Sequence, residues 1–289
     1  MQADAYLYSM IKTVCVAGSG TMGSGIALAC AQAGFTTILF DIEVSFLDKA
    51  KQSISSNLDF LEKKGKIDAA VRAAIESRIT YTHDKSHCVA DLIIEAIIEK
   101  LEIKQALFSE LAAINSQQTI FASNTSSLSI SAIQLEVSQP ERVAGLHFFN
   151  PAHVMKLVEV VKGNKTSDDV IETLVGFCRS LEKTPVICTD APGFIVNRVA
   201  RHYYLESMRI AEKGDVDLDC IDTALEAAGF KMGPFRLMDM IGMDINLAVT
   251  RSLYEAFDNA PRFLPSPLQV DKVEKGELGR KSGKGFYAY

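Results

Sequence analysis

The sequence has no long apolar run, no paired-cysteine motif and no excess of basic residues. Its apolar runs are too short and too interrupted to cross a bilayer, which takes about 20 consecutive apolar residues. A net charge of -6 argues against a nucleic-acid-binding surface or an anionic-membrane surface. The six cysteines are scattered without a CxxC spacing, so we expect reduced core residues and neither a disulfide framework nor a metal site. These absences favour a cytoplasmic protein.

Residues 1–10, MQADAYLYSM, lack the basic charge and the apolar segment of a secretory signal, so we expect none there. At 289 residues the chain is longer than one average domain, which favours two domains. From Pro192 onward the β-branched runs stop, and the remaining segments are helical in pattern. We therefore predict an α/β domain over 1–190 and an all-α domain over 191–289.

A glycine-rich turn separates the first predicted strand from the first predicted helix. The strand covers 12–17, the turn is GSGTMG at 18–23, and the helix covers 24–34. A second strand at 36–40 ends at Asp41. GxGxxG alone is a weak signal, but a preceding strand, a following helix and an acid after the next strand complete the dinucleotide-binding fingerprint. The first domain is therefore predicted to be of the Rossmann type.

Each part of this fingerprint has a physical role. Gly18 allows the tight turn, Gly20 lets the backbone approach a pyrophosphate, and Gly23 lets the helix pack closely on the strand. Asp41 is predicted to accept hydrogen bonds from the adenosine ribose, and a carboxylate there repels a 2′-phosphate. No arginine follows within 42–45, so NAD is favoured over NADP. The predicted cofactor contacts of the turn are Gly18, Ser19, Gly20, Thr21, Met22 and Gly23.

A helical hairpin is predicted between the second and third strands, over about 44–78. Its first helix covers 44–67, with apolar residues at helical spacing, and its second helix covers 69–77. The first helix closes on a lysine cluster, KKGK at 63–66. Such a cluster is either the solvated end of a helix or an anchor for a phosphorylated ligand, and both interpretations stay open from the residues alone.

Two further predicted strands, 90–96 and 119–122, each lead into polar residues. Ligands of open α/β sheets collect at the carboxyl ends of the strands, so the segments 95–99 and 123–127 are candidate ligand contacts. Hydroxyl clusters of this kind are also common helix N-caps, and for Ser126 that alternative stays open.

The segment GLHFFNPAHVMKLVEV at 145–160 has a histidine and a carboxylate on either side of a turn. Apolar residues flank an Asn-Pro turn, which predicts two short buried strands across which His147 and Glu159 meet. Burial makes an unpaired carboxylate costly, and an imidazole whose basicity is set by a carboxylate is the usual general base near neutral pH. The alternative is a core histidine bonded to a backbone carbonyl, with a surface glutamate on an edge strand.

The predicted all-α domain contains helices at 194–212, 217–228 and 234–257. Methionine and leucine residues at 232–243 look exposed in this pattern, which suits a dimer interface as well as a core. A helical domain beside a nucleotide-binding domain commonly closes a substrate cleft and mediates pairing. We therefore expect a homodimer formed through 191–289.

Separated sequence motifs follow one another along nearly the whole chain. They are GSGTMGSGIA at 18–27, IIEAIIEKLEIK at 93–104, ASNTSSLSI at 122–130, GLHFFNPAHVMKLVEVV at 145–161, DAPGFIVNR at 190–198, MGPFRLMDMIGMD at 232–244 and GRKSGKGFYAY at 279–289. In this order they resemble the 3-hydroxyacyl-CoA dehydrogenase family, and the short bacterial 3-hydroxybutyryl-CoA dehydrogenases in particular. The stretch GLHFFNP, with an acid after its histidine, is close to diagnostic.

The resemblance implies reversible hydride transfer between C3 of an (S)-3-hydroxyacyl-CoA and NAD, in fatty acid metabolism. The fold that it implies is a Rossmann-type dinucleotide-binding domain with an inserted helical hairpin, then an all-α domain that dimerises. By resemblance His147 is the general acid/base on the C3 oxygen, and Glu159 orients it. Ser126 and Asn197 match residues that bind the reacting end of the substrate, and Asn150 matches one at the nicotinamide side.

The resemblance also implies further contacts with NAD and with the CoA part of the substrate. Glu99, Lys104 and Lys281 match NAD contacts, and Ser126 is counted with both the cofactor and the CoA contacts. Lys64 matches a hairpin lysine that meets the CoA nucleotide. Asn57 stands where the hairpin often has a serine on CoA, and its amide can still form a hydrogen bond.

Two alternatives remain open. A related hydroxy-acid or sugar-acid (gulonate-type) dehydrogenase would use the same His147 and Glu159 without needing Lys64. A non-catalytic NAD-binding protein has no physical need for the complete set of candidate catalytic residues, which argues against it. Because no hydratase segment is attached, we expect a single-function dehydrogenase. We expect no metal site.

Overall fold

The computed structural model describes residues 11–289, and the expectation about a secretory signal in residues 1–10 lies outside them. The chain divides into two compact units between Asp190 and Ala191. The first unit contains an eight-stranded sheet with helices, and the second is built from helices. The predicted fold class, a Rossmann-type domain followed by an all-α domain, is confirmed.

Eight strands form the sheet of the first unit. They are β1 (Thr13–Ala17), β2 (Thr36–Phe40), β3 (Ile79–Thr82), β4 (Leu92–Glu95), β5 (Ile120–Ser123), β6 (Val143–Phe148), β7 (Leu157–Lys162) and β8 (Thr184–Thr189). Their order in the sheet is β3-β2-β1-β4-β5-β6-β7-β8. All neighbours are parallel except β6 and β7, which pair antiparallel. The central strands are buried along their length, as parallel strands covered on both faces require.

Six helices accompany this sheet: α1 (Thr21–Gln32), α2 (Val44–Lys63), α3 (Ala69–Ser77), α4 (Leu101–Ile114), α5 (Ile130–Ile133) and α6 (Asp168–Ser180). α1 begins inside the glycine motif, earlier than the predicted start at 24. Gly20 is its N-cap and accepts a backbone hydrogen bond from Ser24 at 2.9 Å. The first backbone N–H groups of α1 therefore lie at the glycine turn.

The helical hairpin consists of α2 and α3. α2 ends at Lys63, short of the predicted end at 67, because Gly65 adopts a left-handed φ of 65°. Arg72 of α3 binds the carboxylates of Asp59 at 2.5 Å and Glu62 at 3.0 Å on α2. These ion pairs tie the two helices of the hairpin together.

The second unit contains α7 (Val196–Glu212), α8 (Leu218–Ala227), α9 (Pro234–Ile241), α10 (Met243–Ala256) and α11 (Pro267–Glu274). The single helix predicted over 234–257 is wrong. Gly242 has a φ of 104°, which an L side chain rarely adopts, and the helix breaks there. α11 was not predicted, and its N-cap Ser266 accepts a hydrogen bond from the Leu268 N–H at 3.2 Å.

Two methionines of the segment 232–243 are more buried than their sequence pattern indicates. Met238 and Met243 are fully buried and pack with Tyr204 and Phe235 in the core of the second unit. Met240 remains 48% exposed. The break at Gly242 forms two short helices that each bury a methionine, which a continuous helix does not predict.

Two expectations from composition are tested by the described residues. Between Ile11 and Tyr289, no helix is long and apolar enough to cross a membrane. All six cysteines are free thiols, and five of them are buried, as predicted. Cys220 is the exposed one.

Candidate active site

The histidine and the glutamate of the segment 145–160 meet across two antiparallel strands. His147 on β6 is the register partner of Glu159 on β7, and directly opposed residues project from the same face. His147 Nδ1 lies 2.7 Å from Glu159 Oε2, and the residues are 6% and 1% exposed. The ring of Phe149 lies against the imidazole, with centroids 4.5 Å apart. This pair of buried groups forms the chemical centre of the candidate site.

The contact with Glu159 determines which nitrogen of His147 carries a proton. Nδ1 faces the carboxylate, so in the neutral ring Nδ1 donates and Nε2 is the basic nitrogen. Glu159 is acceptor-only when ionised, so it orients the imidazole through the Nδ1 proton and leaves Nε2 facing away from the carboxylate. The arrangement is therefore suited to take up and return a proton at Nε2.

An asparagine at the end of β5 supports this strand pair. Asn124 Oδ1 accepts a hydrogen bond from the Phe148 N–H at 2.9 Å, which joins the ends of β5 and β6. Asn124 lies inside the candidate ligand-contact segment 123–127, but sequence reasoning did not single it out. An amide just after a buried strand was the available signal.

Glu99 organises the polar loop after β5. Its Oε1 accepts hydrogen bonds from Thr125 Oγ1 at 2.5 Å, from the Ser126 N–H at 3.0 Å and from Ser127 Oγ at 3.2 Å. Burial opposes ionisation of Glu99, but the charge of Lys104 and the bond from Thr125 outweigh it and lower the pKa of Glu99. The loop that carries Ser126 is thus held by an ionised carboxylate.

Behind this loop lies a fully buried ion pair. Lys104 Nζ lies 2.6 Å from Glu95 Oε1 and 3.1 Å from Glu99 Oε2, and Lys104 is 1% exposed. Glu95 also accepts hydrogen bonds from Ser123 Oγ at 2.6 Å and the Ile97 N–H at 2.7 Å. Lys104 therefore contacts two carboxylates, and a direct contact with the cofactor stays a prediction. Glu95 begins the candidate segment 95–99, but no individual role was predicted for it.

The glycine turn has the geometry that its fingerprint requires. Gly18 has a φ of 100°, and a Cβ there would lie 2.6 Å from the Ala96 carbonyl oxygen. A Cβ on Gly23 would lie 1.7 Å from the Gly18 carbonyl oxygen, so only glycine fits. A Cβ on Gly20 would meet no protein atom within 4 Å. Packing within the protein therefore does not require glycine at position 20. The predicted close approach of a pyrophosphate to the backbone explains a glycine there.

Asp41 is held at the end of β2 by the same turn. Its Oδ2 accepts hydrogen bonds from the Ser19 N–H and from Ser19 Oγ, both at 2.8 Å. Oδ1 accepts a bond from the Glu43 N–H at 3.2 Å. Ser19 is only 4% exposed and fixes Asp41 through these bonds, and a direct contact of Ser19 with the cofactor stays a prediction. The remaining acceptor capacity of Asp41 suits the two hydroxyls of a ribose.

A cavity of about 600 Å³ adjoins Gly18, Gly20 and Asp41. Its walls are mainly apolar, and the large side chains that line it are Phe40, Ile42, Phe46, Ile97, Ile98, Ile103 and Leu107. Several of these are unusually exposed for their size, with Ile42 at 74% and Ile98 at 56%. An adenine ring fits such a pocket, and sequence reasoning missed these residues because exposure of apolar side chains leaves no periodic signal.

The hairpin presents a polar and aromatic face along α2. Asn57 and Lys64 are two turns apart, and Phe60 lies between them on the same face. Phe60 is 57% exposed, and Lys64 Nζ lies 5.7 Å from its ring centroid. Asn57 Nδ2 donates to the Ser53 carbonyl oxygen at 2.9 Å. An aromatic ring beside a lysine suits a nucleotide base with a phosphate.

The other predicted site residues lie at an exposed turn and in the second unit. Asn150 is exposed in the turn after β6. Asn197 lies in the first turn of α7. Lys281 Nζ contacts both carboxylate oxygens of Asp244, at 2.5 and 2.6 Å. Within the first unit, the structure brings together His147 with Glu159, and Ser126 with Glu99 and Lys104.

Comparisons with known proteins identify the family of this chain. The family model described as "3-hydroxyacyl-CoA dehydrogenase, NAD binding domain" matches residues 13–191, and the model of the C-terminal domain matches 193–289. A 3-hydroxyadipyl-CoA dehydrogenase of Escherichia coli is 48% identical, over 96% of this chain and 59% of that protein. A mitochondrial hydroxyacyl-coenzyme A dehydrogenase of Rattus norvegicus is 43% identical, over 97% of this chain and 92% of that protein.

A solved structure is also closely similar. The (S)-3-hydroxybutyryl-CoA dehydrogenase of Ralstonia eutropha has a TM-score of 0.92 and 36% identity, over 96% of this chain and 99% of that chain. This chain therefore spans less than two thirds of the Escherichia coli relative and nearly all of the other two. Together with the glycine turn, Asp41 and the adjoining pocket, the matches show that the chain belongs to the 3-hydroxyacyl-CoA dehydrogenase family and that its cofactor is NAD.

Proposed function

We propose that this protein catalyses reversible hydride transfer between C3 of an (S)-3-hydroxyacyl-CoA and NAD, with His147 as the general acid/base. The observation that carries the proposal is the buried 2.7 Å contact between His147 and Glu159, near the carboxyl end of β6. β1, β4, β5 and β6 are parallel neighbours, so their carboxyl ends lie at one edge of the sheet. The same edge carries the glycine turn and the loop of Ser126.

The spacing of the sheet supports this placement. Three inter-strand steps separate β1 from β6, which amounts to about 14 Å. With its pyrophosphate at the N-terminus of α1, the dinucleotide extends along the edge, and its adenosine lies at Asp41 and the apolar pocket. Its nicotinamide end then lies toward β5 and β6, where Ser126 and His147 are found.

His147 moves the proton of the reaction. In the oxidation direction the C3 hydroxyl loses its proton to Nε2, and the imidazolium that forms is stabilised by the Glu159 carboxylate beside Nδ1. Because both residues are buried, the attraction between the two charges is stronger than in water. In the reduction direction Nε2 returns the proton to the C3 oxygen. NAD supplies the hydride acceptor when it is bound.

Other residues are proposed to position the reactants. Ser126 and Asn197 bind the reacting end of the substrate through their polar side chains, and Asn150 borders the nicotinamide. Glu99 fixes the loop of Ser126 by its hydrogen bonds to the loop. Lys104 is proposed to act on NAD through Glu99, since its own ammonium is buried between two carboxylates. Lys281 is a further proposed NAD contact.

The α2 face of the hairpin is proposed to bind the nucleotide end of CoA. Lys64 is exposed and carries the charge that a phosphate requires. Phe60 offers its exposed ring to the adenine, and Asn57 adds a hydrogen-bonding amide. This arrangement supports an acyl-CoA over a free hydroxy acid, because a free acid leaves these three groups without a ligand.

The acyl chain is proposed to be short, with 3-hydroxybutyryl-CoA and acetoacetyl-CoA accepted. Two relatives are a 3-hydroxybutyryl-CoA dehydrogenase and a 3-hydroxyadipyl-CoA dehydrogenase, and their acyl groups of four and six carbons support a short chain. The working form is proposed to be a homodimer through the second unit. Its exposed apolar side chains support pairing, with Val199 66%, Phe230 51% and Ile245 52% exposed.

A coupled set of assays tests the proposal. NADH consumption is followed with acetoacetyl-CoA, with NADPH in parallel and gulonate plus NAD as the alternative reaction. We expect rapid turnover with NADH and acetoacetyl-CoA and slow turnover with NADPH. Turnover of gulonate without any turnover of acyl-CoA substrates would overturn the proposal.

A further inference from the structure

A buried arginine in the second unit has no carboxylate partner among the described residues. Arg201 of α7 is 3% exposed, and its Nη1 donates to the Asn246 carbonyl oxygen at 2.8 Å, to Asn246 Oδ1 at 3.1 Å and to Thr250 Oγ1 at 2.8 Å. All three acceptors are neutral, and the guanidinium carbon also lies 4.9 Å from the centroid of the Tyr204 ring, a contact that brings no counter-charge. Burial lowers the pKa of Arg201 to about 10, and the guanidinium still carries its charge near neutral pH.

The neighbours of Arg201 are also buried and only partly satisfied. Gln269 Nε2 donates to Asn246 Oδ1 at 2.6 Å and to Thr250 Oγ1 at 3.1 Å. Three atoms of this cluster are buried without a partner: Arg201 Nε, Asn246 Nδ2 and Gln269 Oε1. A buried cation surrounded by neutral groups is costly, since burial without a counter-charge is not offset by hydrogen bonds alone. An external anion would supply the missing charge.

The shape of the guanidinium indicates which kind of anion fits. Every side-chain hydrogen bond that the structure gives Arg201 comes from Nη1, so the edge formed by Nε and Nη2 makes none. Two parallel N–H groups on one edge match the two oxygens of a carboxylate in a bidentate pair. A single acceptor, such as a water or a hydroxyl, satisfies only half of that edge.

The position of Arg201 on α7 connects it to the substrate. Asn197, which the proposed function places at the reacting end, lies four residues earlier on the same helix. Side chains at this spacing share a face, with Cβ atoms about 6 Å apart. A group that reaches Arg201 from a substrate at Asn197 must therefore lie a few carbon atoms beyond C3 on the acyl chain.

We propose that Arg201 binds a second carboxylate at the far end of the acyl chain, so that the preferred substrates are 3-hydroxyacyl-CoA thioesters of dicarboxylic acids. This inference rests on the proposed function, because it takes Asn197 to be at the reacting end. A six-carbon diacid places its terminal carboxylate three bonds beyond C3, within reach of the next helical turn. Arg201 is then the residue that distinguishes a charged chain end from a methyl group.

The test compares substrates that differ only at that chain end. kcat/KM is measured with 3-hydroxyadipyl-CoA and with 3-hydroxyhexanoyl-CoA, which has the same number of acyl carbons and no terminal carboxylate. 3-Hydroxybutyryl-CoA is the short reference. We expect the protein to favour the adipyl over the hexanoyl substrate by roughly 10- to 100-fold, the usual effect of hydrogen bonds to a charged group.

Three variants assign that preference to Arg201. Arg201→Met should reduce the ratio to about 1, mainly through loss of activity on the adipyl substrate, and Arg201→Lys should retain part of it because the charge remains. Arg209→Met is the matched control, since it removes a more exposed arginine from the same helix and should leave the ratio unchanged. If Arg201→Met does not fold, Arg201→Lys serves as the test: a lower ratio of adipyl to hexanoyl kcat/KM than in the parent protein supports the role of Arg201, and an unchanged ratio overturns it.

The outcomes separate this inference from the proposed function. No turnover of any of the three substrates would overturn the proposed function itself. Turnover of all three with equal adipyl and hexanoyl values, or with a ratio that Arg201→Met leaves intact, would overturn the role of Arg201 alone. A change of oligomeric state in Arg201→Met with an unchanged ratio would instead assign the arginine to pairing between two copies of the chain.

Discussion

Two buried cations, one in each unit, differ in how their charge is balanced. Lys104 in the first unit is 1% exposed and contacts two carboxylates, at 2.6 and 3.1 Å. Arg201 in the second unit is 3% exposed and contacts neutral oxygens and the ring of Tyr204, with no carboxylate partner among the described residues. A cation whose counter-charge is supplied by the chain is fixed in place, whereas one without it can bind an anion from outside. The first kind suits a scaffold for the cofactor and the second suits a specificity site.

The pair of His147 and Glu159 stands between these two cases. The carboxylate is supplied by the chain, but the charge of the imidazole changes during the reaction. The carboxylate of Glu159 is therefore present throughout the reaction, whereas the proton at Nε2 of His147 is taken up and released. Substitution of each charged group should therefore affect activity or stability according to whether the chain itself supplies the counter-charge.

The largest effect is expected at His147. His147→Ala removes the group that takes up the C3 proton, so kcat should fall about 10²–10⁴-fold while NADH still binds. Steady-state turnover and NADH fluorescence titration measure the two quantities separately. Retention of near-full turnover would remove His147 from the mechanism, and loss of NADH binding would point to a structural role.

Glu95 offers the next largest effect, on stability. Glu95→Gln keeps the shape of the side chain and removes one of the two negative charges at Lys104, so the free energy of unfolding should fall by about 3 kcal/mol. Urea unfolding measures this difference. The double variant Glu95→Gln with Lys104→Met removes the buried cation as well and should recover most of the loss. A double variant that is less stable than the single one would show that charge balance is not the cause.

Arg201→Met belongs in the same experiment, because it removes a cation that has no carboxylate partner. Only neutral acceptors lose a hydrogen bond, so the loss in free energy of unfolding should be smaller, about 1–2 kcal/mol. A loss larger than that of Glu95→Gln would mean that Arg201 is chiefly a structural residue and that the two buried cations do not differ in the way their charges are balanced.

Local patterns in the sequence predicted much of the fold and of the candidate site. The contact between His147 and Glu159 follows from two short apolar strands on either side of a turn. The glycine turn and Asp41 were predicted from the dinucleotide-binding fingerprint, in which GxGxxG lies between a strand and a helix and an acid ends the next strand. In each case the interacting residues are close in sequence or belong to one fingerprint, so that short-range rules apply.

The contacts that were missed depend on how helices and strands pack against one another. Arg201 looks like an ordinary polar residue of a helix, and its burial depends on Asn246, Thr250 and Gln269 on two later helices, one of which was not predicted. The contact of Glu95 with Lys104 depends on how β4 and α4 pack, which has no sequence period. Tertiary packing of this kind is not encoded in any short window of the chain.

A change of cofactor preference at Asp41 should be a smaller effect than the loss of activity on removal of His147. Asp41 carries a carboxylate that no cation of the described residues neutralises within ion-pairing distance, so it repels a 2′-phosphate. Asp41→Ser with Ile42→Arg replaces that repulsion by an attractive charge and should shift preference toward NADPH by roughly 10-fold or more. The ratio of kcat/KM for NADH and NADPH is the measurement. An unchanged ratio would mean that Asp41 is not at the ribose.

The smallest effect is expected at Glu99, which is partly exposed and shares Lys104 with Glu95. The folded-state pKa of Glu99 lies below its ordinary value of 4.5, so its carboxylate stabilises the fold above that pH. That contribution is lost as the pH falls through the lowered pKa. Glu99→Gln should therefore be less stable than the parent protein near neutral pH, and the difference should shrink in acid. Glu110→Gln, which removes an exposed carboxylate from the neighbouring helix α4, is the control for a general charge effect. A difference between Glu99→Gln and the parent protein that stays constant with pH would mean that lost packing, and not lost charge, causes it.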